Sequence, residues 1–182
     1  MPKREIEGDW VLGWPDRKRP AIVAGRDAEG RVINGRAPVT ELARLKLPPG
    51  TSITNPVDAP VGTLQQEDGR VAEKILAAIY GSGRPDALVV HLNLSAFAGS
   101  TRTEVLDNLV QAALRVQARH PGQAHFVLVL RSDGEPALEE RKRAFRARAI
   151  ALGIPVYDEI ANAGAALAAL AFHERFVQSR NR

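Results

Sequence analysis

The clearest pattern along the chain is a pair of short apolar runs, residues 87–94 and 125–131, with an amphipathic segment between them. Both runs are rich in Val and Leu and show no polar–apolar alternation, which is typical of strands covered on both faces. The intervening segment carries apolar residues three and four positions apart, so one helical face can lie on the sheet. These residues are Val105, Leu109, Ala113 and Val116. The pattern predicts a parallel strand–helix–strand unit with a right-handed connection.

Strand and helix patterns alternate on both sides of this unit. The further predicted elements are a strand at 51–54, a helix from Thr63 to 80, a helix over 135–152, a strand at 154–157 and a helix over 159–177. Thr63 and Gln66 form a capping-box pattern, and Gly69 weakens or bends the first turns of the same helix. Pro155 favours an edge strand or a strand start over a central position for the last strand. The last two helices are predicted to bury Leu152, Ile160, Leu167, Leu170 and Phe172. The alternation predicts a doubly wound α/β sandwich with a mostly parallel sheet.

The first 38 residues form the least regular part of the chain. The turn residues 27–30 separate the apolar run 21–24 from residues 31–33, which predicts a β-hairpin. A short helix over 39–45 follows, and proline and glycine end it at residues 48–50. We therefore divide the chain into an irregular or hairpin segment at 1–38, one α/β domain at 39–177 and a frayed tail at 178–182.

Composition narrows the class of protein. The 182 residues are 45% hydrophobic and 25% charged, which is typical of a globular domain rather than a disordered chain. The absence of cysteine excludes disulfides, thiolate metal sites and cysteine nucleophiles, and it fits a reducing cytoplasm. No apolar run approaches the ~20 residues of a membrane span, and the first residues do not contain the apolar core of a secretory signal. We expect a cytoplasmic protein with no membrane partner.

The charge balance is basic, with 25 Lys and Arg against 21 Asp and Glu and a pI near 9.8. Nucleic acid or an anionic cofactor could exploit this excess. The basic residues are spread along the chain, however, and the group at 141–148 follows Glu139 and Glu140, with which it can pair on a helix surface. A solvated surface is therefore the favoured interpretation, and nucleic-acid binding is unlikely.

Familiar catalytic and metal-binding motifs are missing from the sequence. It has no glycine-rich phosphate-binding motif, no paired zinc histidines and no G-x-S-x-G elbow. The four histidines (His91, His120, His125 and His173) are not spaced as ligands on one helix. We assign no catalytic residue, no metal site and no intrinsic cofactor.

Candidate binding residues lie in loops that follow predicted strands, where ligands bind in α/β sheets. Asn55 and Asp58 follow the strand at 51–54; they can line a site rim, or they can serve only local turn chemistry. Ser95, Ser100 and Thr101 precede the start of a helix, where backbone N–H groups favour an anion, although helix capping requires the same residues. Residues 132–135 repeat this arrangement with two carboxylates, which disfavours an anion there.

Several of these features occur in an order that resembles the NDP-forming acyl-CoA synthetases, the superfamily of acetate–CoA ligase (ADP-forming) and succinyl-CoA synthetase. The matching features are Pro48-Pro-Gly, Asn55-Pro-Val-Asp58, the long helix after it, Pro85-Asp-Ala-Leu-Val-Val90, Gly153-Ile-Pro-Val-Tyr157 and residues 163–170. The resemblance is to a flavodoxin-like ligase domain of these enzymes and covers residues 39–176. It implies a flavodoxin-like three-layer sandwich.

The resemblance also implies a function as one part of an acid–CoA ligase. In that family acyl-CoA, ADP and phosphate are exchanged for acid, CoA and ATP through an acyl phosphate and a phosphorylated histidine held at helix N-termini. Asn55, Asp58, Gly62 and Thr63 would face the shared site. The histidine loop, the CoA-binding unit and the ATP-grasp module are missing from this sequence, so we expect no activity from the chain alone.

Two hypotheses follow. In the first, CoA and ADP or ATP bind only in the complete enzyme, whose other domains or subunits are this chain's partners; the chain could also form a homo-oligomer. The alternative is a free-standing flavodoxin-like binding or scaffold module without acyl-CoA chemistry.

Overall fold

A computed structural model gives the fold and describes residues 24–26, 32–34, 39–54, 56–83, 85–97 and 104–180. In chain order the strands and α-helices are β1 (Ala24–Arg26), β2 (Val32–Asn34), α1 (Val39–Arg44), α2 (Arg70–Ala78), β3 (Ala87–Asn93), α3 (Glu104–Arg119), β4 (His125–Arg131), α4 (Pro136–Ala151), β5 (Val156–Tyr157) and α5 (Ile160–Arg180). A 3₁₀ segment precedes α2, a π-helical turn follows it, and a short 3₁₀ turn follows β3; these are Val61–Gly69, Ile79–Gly83 and Leu94–Phe97.

The main sheet has the order β3-β4-β5, and both strand pairs are parallel. The register of β3 on β4 runs from Ala87 opposite His125 to Asn93 opposite Arg131, with α3 as the crossover. The predicted α/β class and the parallel strand–helix–strand unit are therefore confirmed. The edge position predicted for the last strand is also confirmed, since β5 pairs only with β4 among the described strands.

The core lies on both faces of β4, the middle strand. One cluster joins β4 to α2, α3 and α4 through residues such as Leu76, Leu109 and Phe145, while a second joins it to α5 through Leu167. Every residue of β4 from Phe126 to Leu130 is buried. The uninterrupted apolar run in the sequence reflects this two-sided cover.

Residues 51–54 do not form the predicted strand. Ser52 instead makes an isolated antiparallel bridge with Asp58, with N–H···O distances of 2.7 and 3.1 Å. A turn that contains Pro56 brings these two residues together, so local pairing satisfies their backbone groups. In contrast, the predicted N-terminal hairpin is present as an antiparallel pair of β1 and β2, displaced along the chain from the predicted strands.

The helix predicted from Thr63 begins differently. The chain enters the 61–69 segment at Pro60 without a side-chain cap, so the capping box of Thr63 and Gln66 is wrong. Glu67, Asp68 and Gly69 have φ angles of 53°, 56° and 82°, and regular α-helix starts only at Arg70. The prediction that Gly69 disturbs the first turns is confirmed.

Several residues predicted to be buried are exposed. Leu152, Ile160, Leu170 and Phe172 are 47%, 41%, 37% and 68% exposed. The buried residues of α5 are Ala163, Gly164, Leu167 and Ala171, so small side chains face the sheet. Because α5 carries apolar residues around most of its circumference, the sequence pattern does not identify its buried face.

Candidate functional site

The loops after β3 and β4 meet at the carboxyl edge of the sheet, as parallel strands require. The amide of Ser95 donates to Asn93 Oδ1 at 3.2 Å, and the Ser95 hydroxyl lies close enough to the Asp133 carboxylate to lower its pKa. The amide of Glu135 also donates to Asp133, at 3.1 Å from Oδ1. The Glu135 amide and then the Ser95 hydroxyl lower the pKa of Asp133. The Asp133 side chain is therefore an anion that ties the two loops together.

The N-terminus of α4 is occupied by a carboxylate of the chain itself. Glu135 accepts hydrogen bonds from the amides of Ala137 and Leu138 at 3.1 and 2.8 Å, and Pro136 lies in the first turn, where its missing N–H costs nothing. The two amides that would receive an external anion are thus already used. That residues 132–135 make the weaker of the two anion sites stays a prediction, because the helix start at Ser100 and Thr101 lies outside the described residues.

Beside this helix start lies a group of polar side chains that we call the Lys142 cluster. It consists of Ser132, Glu139, Lys142, Arg146 and Asp158. The Lys142 ammonium lies 3.0 Å from Asp158 Oδ1, 3.3 Å from Glu139 Oε1 and 3.4 Å from Ser132 Oγ. Ser132 Oγ donates to Glu139, and Arg146 lies 3.0 Å from Asp158 Oδ2. The cluster therefore links α4 to the loops that follow β4 and β5.

Hydrogen bonds within the Lys142 cluster shift the pKa of its lysine and of its two carboxylates toward the charged form. Partial burial works to lower the pKa of Lys142, but hydrogen bonds to Asp158 and Glu139 outweigh it and raise the pKa. The Lys142 hydrogen bond lowers the pKa of Asp158, and the Ser132 hydroxyl lowers that of Glu139. At neutral pH Lys142 is a cation and Glu139 a weak base. The Ser132 hydroxyl therefore donates to a carboxylate that is too weak a base to activate a serine nucleophile.

His91 lies near the end of β3 with Arg131 of the neighbouring strand and Glu159 close enough to act on its charge. The His91 side chain is exposed at the surface, but partial desolvation and then the positive charge of Arg131 lower its pKa, and Glu159 partly opposes them. Its imidazole is therefore neutral at pH 7, with a nitrogen able to accept a proton or a hydrogen bond. Sequence analysis assigned His91 no catalytic or metal-binding role, and periodicity contains no signal for these neighbours.

The predicted binding residues near position 60 are less clearly arranged for a ligand. Asp58 has an exposed side chain and a backbone engaged by Ser52, and Gly62 is exposed. Thr63 is 1% exposed, and its hydroxyl has no hydrogen-bond partner within the part of the chain that the structure describes. Among those same residues, no hydrogen bond connects Asp58, Gly62 or Thr63 to the loop containing Ser95.

Three predicted binding residues, Asn55, Ser100 and Thr101, lie outside the described residues. Sequence analysis missed the role of Lys142 and Asp158 at this edge. The three-residue spacing of Glu139 and Lys142 indicated their pairing, but the contact with Asp158 depends on how α4 packs beside β5. Over the described residues, no group of three or more His, Cys, Asp or Glu side chains is placed to hold a metal ion.

Comparison with known proteins adds no relative: no protein-family model, curated protein or solved structure matches this chain. Within the described ranges, no helix is both long enough and apolar enough to cross a bilayer.

Proposed function

We propose that this chain is the flavodoxin-like domain of an NDP-forming acyl-CoA synthetase, working with other domains or subunits that bind CoA and the nucleotide. The order of elements in the parallel sheet carries the proposal. Pro85 and Asp86 lead into β3, residues 153–157 lead into and form β5, and residues 163–170 lie on α5, so the features that resemble the family occupy successive positions of one α/β unit.

The proposed contribution is binding and positioning rather than bond making. The loop between β4 and α4 contains no histidine, and Glu135 occupies the helix start that would hold a phosphoryl group. The phosphorylated residue must then come from a partner. The neutral His91 and the loop at Ser95 are the groups of this chain that a CoA or nucleotide of the assembled enzyme would meet.

Reconstitution tests this proposal. The chain is mixed with CoA-binding and ATP-grasp polypeptides of NDP-forming acyl-CoA synthetases, and ATP formation from acyl-CoA, ADP and phosphate is measured. We expect activity only when the chain is present, and at least a ~10-fold loss with His91→Ala but not with Ala147→Ser on the opposite side of the sheet. ATP formation that is independent of the chain, with no binding of CoA, ADP or phosphate in any combination, would rule out the proposal.

A second candidate function is a free-standing binding or scaffold module. The paired charges of the Lys142 cluster and the self-capped α4 favour it, because these groups are already satisfied without a ligand. Calorimetric titration separates the two functions. A scaffold module is silent toward CoA, ADP and phosphate even in the presence of the synthetase partners.

A further inference from the structure

The outer edge of β3 is the most conspicuous unsatisfied surface of the described protein. The amide of His125 donates to the carbonyl of Asp86 at 2.9 Å, which fixes the phase of the parallel ladder. Even-numbered residues of β3 then face β4, and the backbone N–H and C=O groups of Ala87, Val89, His91 and Asn93 point away from it. No strand of the described sheet pairs with this edge.

The two edges of the sheet differ in how they are protected. β5 is two residues long and follows Pro155, both of which discourage pairing with another strand. β3 is seven residues long and contains neither proline nor any Asp, Glu, Lys or Arg. Val89 and Val90 are only half-buried, although Val127 and Leu128 beside them on β4 are 3% and 0% exposed. β3 therefore has the composition of an inner strand.

The helical layer also extends past β3. α3 connects β3 to β4 and contacts both α2 and α4, so it is the middle helix of that layer. Packed helices lie about 8–10 Å apart, whereas neighbouring strands lie about 4.8 Å apart. With α3 above the β3–β4 pair, the axis of α2 falls roughly 7 Å beyond β3. α2 therefore covers the space beside β3, as a helix would cover a further strand of the sheet.

We propose that β1 occupies this place, parallel to β3, and joins the two sheets of the chain into one with the order β2-β1-β3-β4-β5. β1 and β2 form a sheet of only two three-residue strands, which is marginal without a further partner. The connection from β1 to β3 runs through the antiparallel strand β2 and then through α1 and α2, which gives the chain the length to reach the amino end of β3.

A second copy of the chain fits this edge poorly. Antiparallel pairing of two β3 strands about a twofold axis would keep both helical layers on the same side of the joint sheet. The α2 helix of one copy would then occupy the space of α3 of the other, because both lie roughly 7 Å from the first β3. A single strand from the same polypeptide meets no such conflict. Parallel docking also brings Arg26 to the carboxyl edge, beside the loop of Ser95, and adds a cation to the candidate site.

Cysteine cross-linking of the full chain tests the pairing. The chain has no native cysteine, so only the introduced residues can react. Gly25→Cys is combined in turn with Val89→Cys and His91→Cys, and with Ala147→Cys on the exposed side of α4 as the control. A short bismaleimide and mass spectrometry report the product. We expect an intramolecular cross-link with β3 at least ~10-fold faster than with the control, because effective concentration is high between adjacent strands. Rates equal to the control overturn the proposal, as does a product found only between molecules.

Amide exchange provides a second measurement on the unmodified chain. If β1 covers the edge, the amides of Val89 and His91 exchange at least ~100-fold more slowly than in an unpaired strand. The amides of Leu88 and Val90 bond to β4 and serve as the internal standard. Ala24→Pro and Gly25→Pro remove β1 donors, and at least one should release Val89 and His91 only. Fast exchange of Val89 and His91 in the natural chain overturns the proposal, as does protection that neither proline variant changes.

Discussion

At the scale of single residues, the buried hydroxyl of Tyr80 is the clearest feature that lowers the stability of the fold. Its side chain is 1% exposed, and its hydroxyl has no hydrogen-bond partner within the described part of the chain. An unsatisfied buried hydroxyl costs roughly 1–3 kcal/mol, whereas a phenyl ring of the same shape does not. We expect Tyr80→Phe to raise the free energy of unfolding by about 1 kcal/mol, measured by urea denaturation. A loss of stability would show that the hydroxyl has a partner; Tyr157→Phe, at a half-buried position, is the matched control.

Tyr80 also predicts how the free energy of unfolding changes at alkaline pH. Burial raises the pKa of Tyr80 from 10.0 to about 12, so between these values the folded chain holds a proton that the unfolded chain loses. Its contribution is complete below pH 10 and is lost as pH rises through 12, by on the order of 2 kcal/mol. Unfolding free energies from pH 9 to 12 should fall less steeply in Tyr80→Phe. Equal slopes in the two proteins would contradict this assignment.

The Lys142 cluster predicts how the stability of the fold changes at acidic pH. The pKa of Asp158 is held below 3.8 and that of Glu139 below 4.5, so their stabilising contribution is present above these values and lost as pH falls below them. Lys142→Met removes the shared cation, and we expect it to cost about 1 kcal/mol at pH 7, because solvent screens the half-exposed Asp158. At pH 3 the difference from the natural chain should shrink. A difference independent of pH would mean that lost packing, not charge, explains the effect.

At the scale of elements, the start of α2 depends on one glycine. Gly69 has a φ of +82°, and a Cβ added there would lie 3.0 Å from Asn108 Cβ on α3. Gly69→Ala should therefore destabilise the fold by about 1–2 kcal/mol, since both the left-handed backbone and the contact oppose a side chain. Gly62→Ala is the control, because no atom of the described residues lies within 4 Å of its added Cβ. Thermal unfolding checks both; equal stability of the two variants would contradict the role of Gly69.

The elements from β3 to α5 could be predicted because each has its own local signal. Apolar runs without alternation indicate β3 and β4, and Pro136 and Gly153 mark the limits of α4. The predictions fail where contacts between residues distant in the sequence determine the local structure. Thr63 has the residue type of a cap, but the chain turns at Pro60 and buries it. In α5 the contact with the sheet selects Ala163 and Ala171 over the larger apolar residues nearby.

At the scale of the whole molecule, some apolar residues of α5 pack against the sheet, while others lie on the surface. Leu167 is 7% exposed within the cluster that joins α5 to β4, and Phe172 is 68% exposed. We expect Leu167→Ala to cost about 2–4 kcal/mol of unfolding free energy and Phe172→Glu to change it by less than about 0.5 kcal/mol. Chemical denaturation of both variants provides the comparison. A large cost for Phe172→Glu would show that this face packs against a part of the protein.

The candidate site was predictable in its location but not in its composition. Parallel strands place the loops after β3 and β4 at one edge, and Ser95 and Asp133 lie close together there. The environments of His91 and Lys142 arise from residues 40 and 16 positions away along the chain, Arg131 and Asp158. Such contacts depend on the register of β3 with β4 and on the packing of α4 beside β5. Local sequence patterns do not contain that information.

The brevity of β5 also limits how the protein can aggregate. An open-ended fibre requires two adhesive edges on every molecule, so that each copy can hold one neighbour on either side. Here Pro155 and the two-residue length of β5 close one side. Association by strand pairing could consequently use only the β3 side of the described three-stranded sheet, where the helical layers of two copies would clash.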